Sequence, residues 1–157
     1  MQLVSSAFRA GENIPVRFTC DGENTSPELS WKEAPVNTKS FALILHDPDA
    51  PKAGGFTHWV LYDIPAKKGH LEPDMPKHET VAGTGTQGKN DAGQIGYMGP
   101  CPPSGSHRYF IRLFALDREL RLPPGATKQE LTTAMEDHIL DQAELVVTYA
   151  RRGRKAA

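Results

Sequence analysis

Four stretches of the chain carry apolar residues in patterns typical of β-strands. Phe41–Asp47 and Thr57–Pro65 are nearly continuous apolar runs, which indicate strands buried on both faces. His107–Asp117 alternates instead, with apolar side chains on one face and arginines on the other, and residues 143–152 form a fourth candidate. Glycine and proline are scattered between these runs, which favours short strands joined by turns. Three weaker strand candidates are QLVSSAF, VRFTC and ELSWKEA.

One helix is predicted near the end of the chain. Thr127 and Glu130 have the spacing of a capping box, in which each side chain accepts a hydrogen bond from the other residue's backbone N–H. An apolar stripe at helical spacing follows, with His138 in it or at its edge, where we expect a structural role: Leu131, Ala134, Met135, His138 and Ile139. Upstream, residues 66–95 are polar and glycine-rich, so they are predicted to be mostly loop with room for a short strand.

The composition predicts one domain, covering residues 1–150, followed by a basic, flexible tail at residues 151–157. The formal net charge of −1 argues against a nucleic-acid partner, which usually requires a basic excess on one face. The chain has no apolar run near the ~20 residues of a membrane span, so we expect no stable membrane insertion. Its first residues also lack the basic and apolar regions of a signal peptide.

The chain contains two cysteines, Cys20 and Cys101. Two are too few for a disulfide scaffold, so we expect two reduced thiols in a cytoplasmic protein.

Two strand ends in the first half of the chain carry reactive side chains on a stiff backbone. Asp47 ends the Phe41–Asp47 strand within the motif DPDAP, whose prolines restrict the residues before them. His58 opens the next strand, so a hairpin-like pairing would bring both side chains to one end of the sheet. Each residue also has a purely structural interpretation. Asp47 could belong to a turn whose aspartates bind local backbone N–H groups, and His58 could be a half-buried histidine that only stabilises the fold.

A third strand end follows the segment GYMGPCPPSGSHRY, residues 96–109, which holds more glycine and proline than a turn needs. His107 opens the strand, and Tyr109 points to the same face two residues later. The stiff loop before them brings the backbone N–H groups of Gly99 and Cys101 near that strand end.

Together these strand ends offer one carboxylate, two imidazoles, a phenol and backbone N–H groups. Imidazoles and N–H groups donate hydrogen bonds to oxygens, so they suit an anion, and a phosphate with an organic tail is the ligand we expect. Asp47 alone would repel an anion, but it could orient an imidazole and fix its tautomer. Two alternatives remain: a metal site of Asp47 and both histidines, or Cys101 as a nucleophile with a histidine base.

Five pieces of the chain, in order, resemble the phosphatidylethanolamine-binding proteins, also known as the Raf kinase inhibitor protein family, and most closely their compact bacterial branch. The pieces are FTCDGENTSPELSW, DPDAP, GGFTHWVLYDIP, GTQGKNDAGQIGYMGPCPPSGSHRYFIRLFALD, and the helix followed by AELVVTYAR. The resemblance implies an antiparallel β-sandwich of two sheets, with one or two short helices and a small pocket for phosphate-like groups. By motif position, that pocket would be formed by Asp47, His58, Gly99, Cys101, Pro102, His107 and Tyr109, with Pro103 shaping the wall.

Two features of the family's eukaryotic members are missing: a longer insertion with a pocket tyrosine after DPDAP, and a helix after the last strand. We therefore expect a more open, less selective pocket. The function expected is non-enzymatic binding of a small phosphorylated or other anionic ligand, without metal or cofactor, coupled to a protein partner. The alternative is a regulator that contacts a kinase or protease independently of the pocket. The compact bacterial members imply a homodimer.

Overall fold

A computed structural model describes residues 1–151 of the chain. Its strands, in chain order, are β1 (Gln2–Val4), β2 (Leu29–Lys32), β3 (Ser40–Asp47), β4 (Phe56–Pro65), β5 (His70–Leu71), β6 (Thr80–Val81), β7 (Gly85–Gln87), β8 (His107–Leu116) and β9 (Ile139–Tyr149). A 3-10 helix covers Val16–Phe18, and the α-helix α1 covers Lys128–Met135.

The strands form two antiparallel sheets packed face to face. The smaller sheet has the order β1-β2-β5, and the larger has the order β6-β7-β4-β3-β8-β9. The main core is the cluster of buried apolar side chains between the two sheets. In it, Leu29 and Trp31 of the small sheet pack against β3, β4 and β8 of the large sheet. The expected β-sandwich is therefore confirmed.

Strands β3 and β4 lie at the centre of the large sheet and are covered on both faces. One face joins the main core, and the other packs beneath α1 through Leu131 and Met135. This double burial explains their continuous apolar sequence. Strand β8 alternates as predicted, since Tyr109 and Ile111 are buried while Arg108 is exposed.

The strand predictions are confirmed except for VRFTC. This segment contains the 3-10 helix, because Pro15 enters it with φ of −57° and Thr19 binds the Val16 carbonyl with both its N–H and its hydroxyl. The predicted loop at residues 66–95 contains β5, β6 and β7. The last strand begins at Ile139, four residues before the predicted start.

Helix α1 begins as predicted but ends early. The Thr127 hydroxyl accepts from the Glu130 N–H at 3.2 Å, and the Glu130 carboxylate accepts from the Thr127 N–H at 2.9 Å. The helix ends at Met135, and Asp137 then has φ of +67°, so the stripe is broken. His138 consequently lies outside the helix, with its Nδ1 2.9 Å from Asp117 Oδ1.

The prediction of two reduced thiols is wrong: Cys20 and Cys101 form a disulfide across a sequence separation of 81. The Cys20 N–H donates to the Pro100 carbonyl at 3.1 Å, which aligns the two segments. Such a contact between distant segments leaves no local pattern in the sequence.

No helix within residues 1–151 is long and apolar enough to cross a membrane. The basic tail predicted at residues 151–157 lies, apart from Arg151, outside the described residues.

Candidate functional site

Asp47 and His107 meet where the ladder between β3 and β8 ends. The last residue pair of that ladder is His46 with Phe110. Just beyond it, His107 Nδ1 donates to Asp47 Oδ2 at 2.7 Å, and both side chains are buried. The imidazole that Asp47 holds is therefore that of His107 rather than that of His58.

The loop after β3 is tied to β8 by a second carboxylate. The other oxygen of Asp47 accepts from the Asp49 N–H at 2.7 Å, so the local turn considered from the sequence is also present. Asp49 accepts three hydrogen bonds from Arg108, from its backbone N–H and from Nε and Nη2, at 2.8–2.9 Å. These bonds lower the pKa of Asp49 to about 2. The hydrogen bonds between Asp49 and Arg108 hold the loop that carries Asp47 against β8.

His58 lies on β4 beside the Asp47–His107 pair. Its Nδ1 donates to the Met98 carbonyl at 2.7 Å, and its ring lies edge-on to Phe56 and Tyr109. Burial lowers the pKa of His58 and outweighs the opposing effects of the Met98 bond and the Asp47 charge. The ring is therefore held neutral near pH 7 when no anion is present.

The hydrogen bonds determine which nitrogen of each ring is left for a ligand. A carbonyl and a carboxylate can only accept, so Nδ1 carries the proton in both His58 and His107. Neither Nε2 has a hydrogen-bond partner among residues 1–151. Each Nε2 accepts in the neutral ring and donates once the ring is protonated.

Tyr109 connects the two imidazoles. Its ring stacks near that of His107, with centroids 6.4 Å apart, and meets that of His58 at 5.4 Å. The hydroxyl is buried and has no well-formed hydrogen bond within residues 1–151, although the backbone of Cys101 acts on it as a donor that opposes the rise of its pKa. Burial, with the Asp47 charge second, raises the pKa of Tyr109 far above its usual value, so the side chain stays a neutral phenol.

The structure does not bring Gly99 into the cavity. Its N–H donates to Asn24 Oδ1 at 2.8 Å, so this donor is already engaged. A Cβ at Gly99 would lie 2.2 Å from the Phe18 carbonyl oxygen. Glycine is needed here because two backbone segments approach closely, and the residue supports the wall without reaching a ligand.

The predicted residues surround a cavity of about 320 Å³. Six of the seven line it: Asp47, His58, Cys101, Pro102, His107 and Tyr109. Apolar atoms dominate the remaining wall, from Ala50, Pro51, Phe56, Met98 and Pro103. Five lining residues were not predicted from the sequence: Ala50, Pro51, Lys52, Phe56 and Met98. All of them except Lys52 lie within the motifs that carry the family resemblance, so they could have been suspected.

The two alternatives considered from the sequence find no support in the described residues. Within residues 1–151, no group of three or more His, Cys, Asp or Glu side chains is arranged to hold a metal ion. Cys101 is bonded to Cys20, so it presents no free thiol as a nucleophile in this form.

Comparisons with known proteins point to one family. The family model described as phosphatidylethanolamine-binding protein matches residues 4–150. A UPF0098 protein of Methanothermobacter thermautotrophicus is 50% identical over 151 residues, which cover 96% of this chain and 99% of that protein. The structure of a phosphatidylethanolamine-binding protein homologue from Chlamydia trachomatis superposes with a TM-score of 0.88 at 39% identity, covering 96% of this chain and 97% of the other. E. coli YbcL, described as a new member of the mammalian family, superposes with a TM-score of 0.89 at 30% identity, covering 96% and 98%.

Proposed function

Because the chain belongs to the phosphatidylethanolamine-binding protein family, we propose that its cavity binds a small anionic ligand carrying a phosphate-like group, without catalysing a reaction on it. The observation that carries this proposal is the pair of buried imidazoles. Both have Nδ1 engaged by the protein and Nε2 without a partner in the described chain. When protonated, both present an N–H to the same cavity, as an oxyanion requires.

The surrounding charges favour the same class of ligand. Asp47 would balance the positive charge of a protonated His107, and Asp49 is already paired with Arg108. Lys52 lines the cavity and keeps its ammonium largely exposed at the rim, 4.0 Å from Asp91 Oδ2, so its positive charge is partly balanced by that carboxylate. An anion would therefore meet two imidazoles and one lysine, with each nearby carboxylate already engaged by a basic group.

The apolar wall supports a ligand with an organic part. Prolines and Phe56 form much of the lining, and the volume of about 320 Å³ exceeds what one phosphate group fills. A phosphate monoester with a small organic group would place its oxygens at the imidazoles and its carbon atoms against this wall.

Family membership supports ligand binding or a regulatory role in general. The alternative function, contact with a kinase or protease independent of the cavity, predicts that capture of such a partner survives His58→Ala and His107→Ala. Among residues 1–151, the large apolar side chains that are exposed include no aromatic ring: Val4, Val16, Val36 and Ile139. We therefore rank ligand binding first.

Two further expectations from the sequence remain predictions. A homodimer stays part of the proposal. The cytoplasmic location also stays a prediction, but the disulfide removes the support that two reduced thiols gave it.

Titration of the imidazole protons by NMR tests the proposal directly. We expect inorganic phosphate, and then phosphoethanolamine, to shift the signals of two of the six histidines with one shared saturation curve. His58→Ala and His107→Ala would assign those two signals. His138, which binds Asp117 outside the cavity, is the internal control and should not move. No shift in a folded protein would overturn the proposal.

Anion affinity should rise as the pH falls. Burial places the pKa of His58 below its ordinary value of 6.5, and a bound anion raises that pKa because it favours the imidazolium. The gain in affinity is therefore complete below the pKa that His58 has in the free protein. It is lost as the pH rises through the higher pKa that His58 has in the complex. We expect sulfate to bind about tenfold more tightly near pH 6 than near pH 8.

Sulfate is the appropriate probe for this dependence, because a phosphate monoester itself takes up a proton near about pH 6. Calorimetry in two buffers of different ionisation enthalpy would show whether a proton is taken up on binding. The same titration of His58→Ala should give a shallower pH profile. A sulfate affinity that stays flat across this range would contradict a role for imidazolium donors.

A further inference from the structure

The disulfide between Cys20 and Cys101 forms part of the cavity wall, because Cys101 lines the cavity. We propose that the oxidation state of this cysteine pair controls the anion affinity of the cavity, and that the dithiol form binds anions more weakly than the disulfide form. This inference rests on the proposed function and adds a means of regulation to it.

The disulfide is the last anchor of the wall before the chain reaches His107. Three hydrogen bonds hold the preceding segment to residues 18–24: the Tyr97 hydroxyl to the Phe18 carbonyl, the Gly99 N–H to Asn24, and the Cys20 N–H to the Pro100 carbonyl. After Cys101, no hydrogen bond joins residues 102–106 to the rest of the described chain. Pro102 and Pro103 of this stretch line the cavity, so their position depends on the anchors at its two ends.

Tyr109 links this anchor to the imidazoles. Tyr109 and Cys101 line the same cavity, the Cys101 backbone acts on the buried Tyr109 hydroxyl, and the Tyr109 ring contacts the rings of both His58 and His107. A displacement of Cys101 on reduction would therefore change the surroundings of Tyr109 and, through it, the two rings that would hold an anion. A disulfide placed in the core, away from the cavity, would not have this connection.

The pair is accessible to a dithiol reductant, because both cysteines are only half-buried. A thiolate of the reductant attacks one sulfur, the bond between Cys20 and Cys101 breaks, and a mixed disulfide forms. The second thiol of the reductant then displaces the protein sulfur, so the reductant leaves as its own disulfide and both protein sulfurs become thiols. Two electrons and two protons pass to the protein. Any thiolate formed at Cys101 would add a negative charge to the wall and oppose anion binding further.

The test measures the dissociation constant for inorganic phosphate with the full chain in its disulfide form, after reduction with dithiothreitol, and after reoxidation. We expect reduction to weaken binding at least fivefold and reoxidation to restore it. Titration of thiols confirms each state, and the NMR spectrum confirms that each is folded. The double variant Cys20→Ala with Cys101→Ala is the matched control: it should bind as the reduced protein does and should not respond to dithiothreitol.

The outcomes separate this inference from the function on which it rests. Equal phosphate affinity in the two folded forms would overturn the redox inference alone. Failure of the disulfide form to bind phosphate at all would overturn the proposed function and this inference with it. A dithiol form that unfolds would also overturn the inference, because the bond would then hold the fold rather than adjust the cavity.

Discussion

Replacing Cys20 and Cys101 together with alanine should lower the free energy of unfolding by about 3 kcal/mol. The disulfide closes a loop across a sequence separation of 81, and a long loop restricts the unfolded chain strongly. The chain-entropy relation gives about 4–5 kcal/mol for a loop of this size, while measured values are usually about 2–4 kcal/mol. For a chain of 157 residues the melting temperature should fall by roughly 6–12 °C.

Denaturant unfolding of the oxidised wild-type protein and of the double variant measures this loss. The wild-type protein in a reductant should show the same decrease, and the variant should be insensitive to the reductant. A difference below about 0.5 kcal/mol, the size of an ordinary surface substitution, would mean that the bond does not form in solution. A domain of ordinary stability would survive the expected loss in a folded state, as the redox experiment requires.

Asp47→Ala should destabilise the protein by about 2–4 kcal/mol and weaken phosphate binding at least tenfold. The carboxylate accepts from both His107 Nδ1 and the Asp49 N–H, so its removal leaves two donors without their acceptor. Each buried donor left unpaired costs about 1–3 kcal/mol. The imidazole of His107 would also lose the contact that fixes its orientation and its tautomer, which explains the expected loss of affinity.

Asp117→Ala is a matched control for this variant. Asp117 also binds an imidazole, that of His138, but the pair is partly exposed and lies past the end of β8 opposite His107. An exposed ion pair contributes about 0–1 kcal/mol, so this variant should unfold nearly as the wild-type protein does and should bind phosphate unchanged. Denaturant unfolding and phosphate titration of both variants provide the comparison. Equal effects of the two substitutions would show that Asp47 has no special role in the cavity.

Local patterns in the sequence determined most of the strands, the helix start and the residues at the strand ends. The apolar runs that became β3 and β4 were recognisable because a strand buried on both faces requires a continuous apolar sequence. The capping box of Thr127 and Glu130 marked the start of α1 because it needs only residues three positions apart. Asp47, His58 and His107 stood out because each adjoins a strand boundary marked by proline or glycine.

Only the tertiary structure decided how those residues meet. The pairing of Asp47 with His107 depends on β3 and β8 being neighbours in the sheet, although 60 positions separate the two residues. The bond between Cys20 and Cys101, and the capture of the Gly99 N–H by Asn24, depend on contact between two distant loops. Hydrogen bonds and burial within a short segment leave a periodic or positional pattern in the sequence, whereas contacts between distant segments arise only when the whole chain packs. The motifs could therefore be found from the sequence, while the protonated nitrogen of each imidazole and the disulfide in the wall could not.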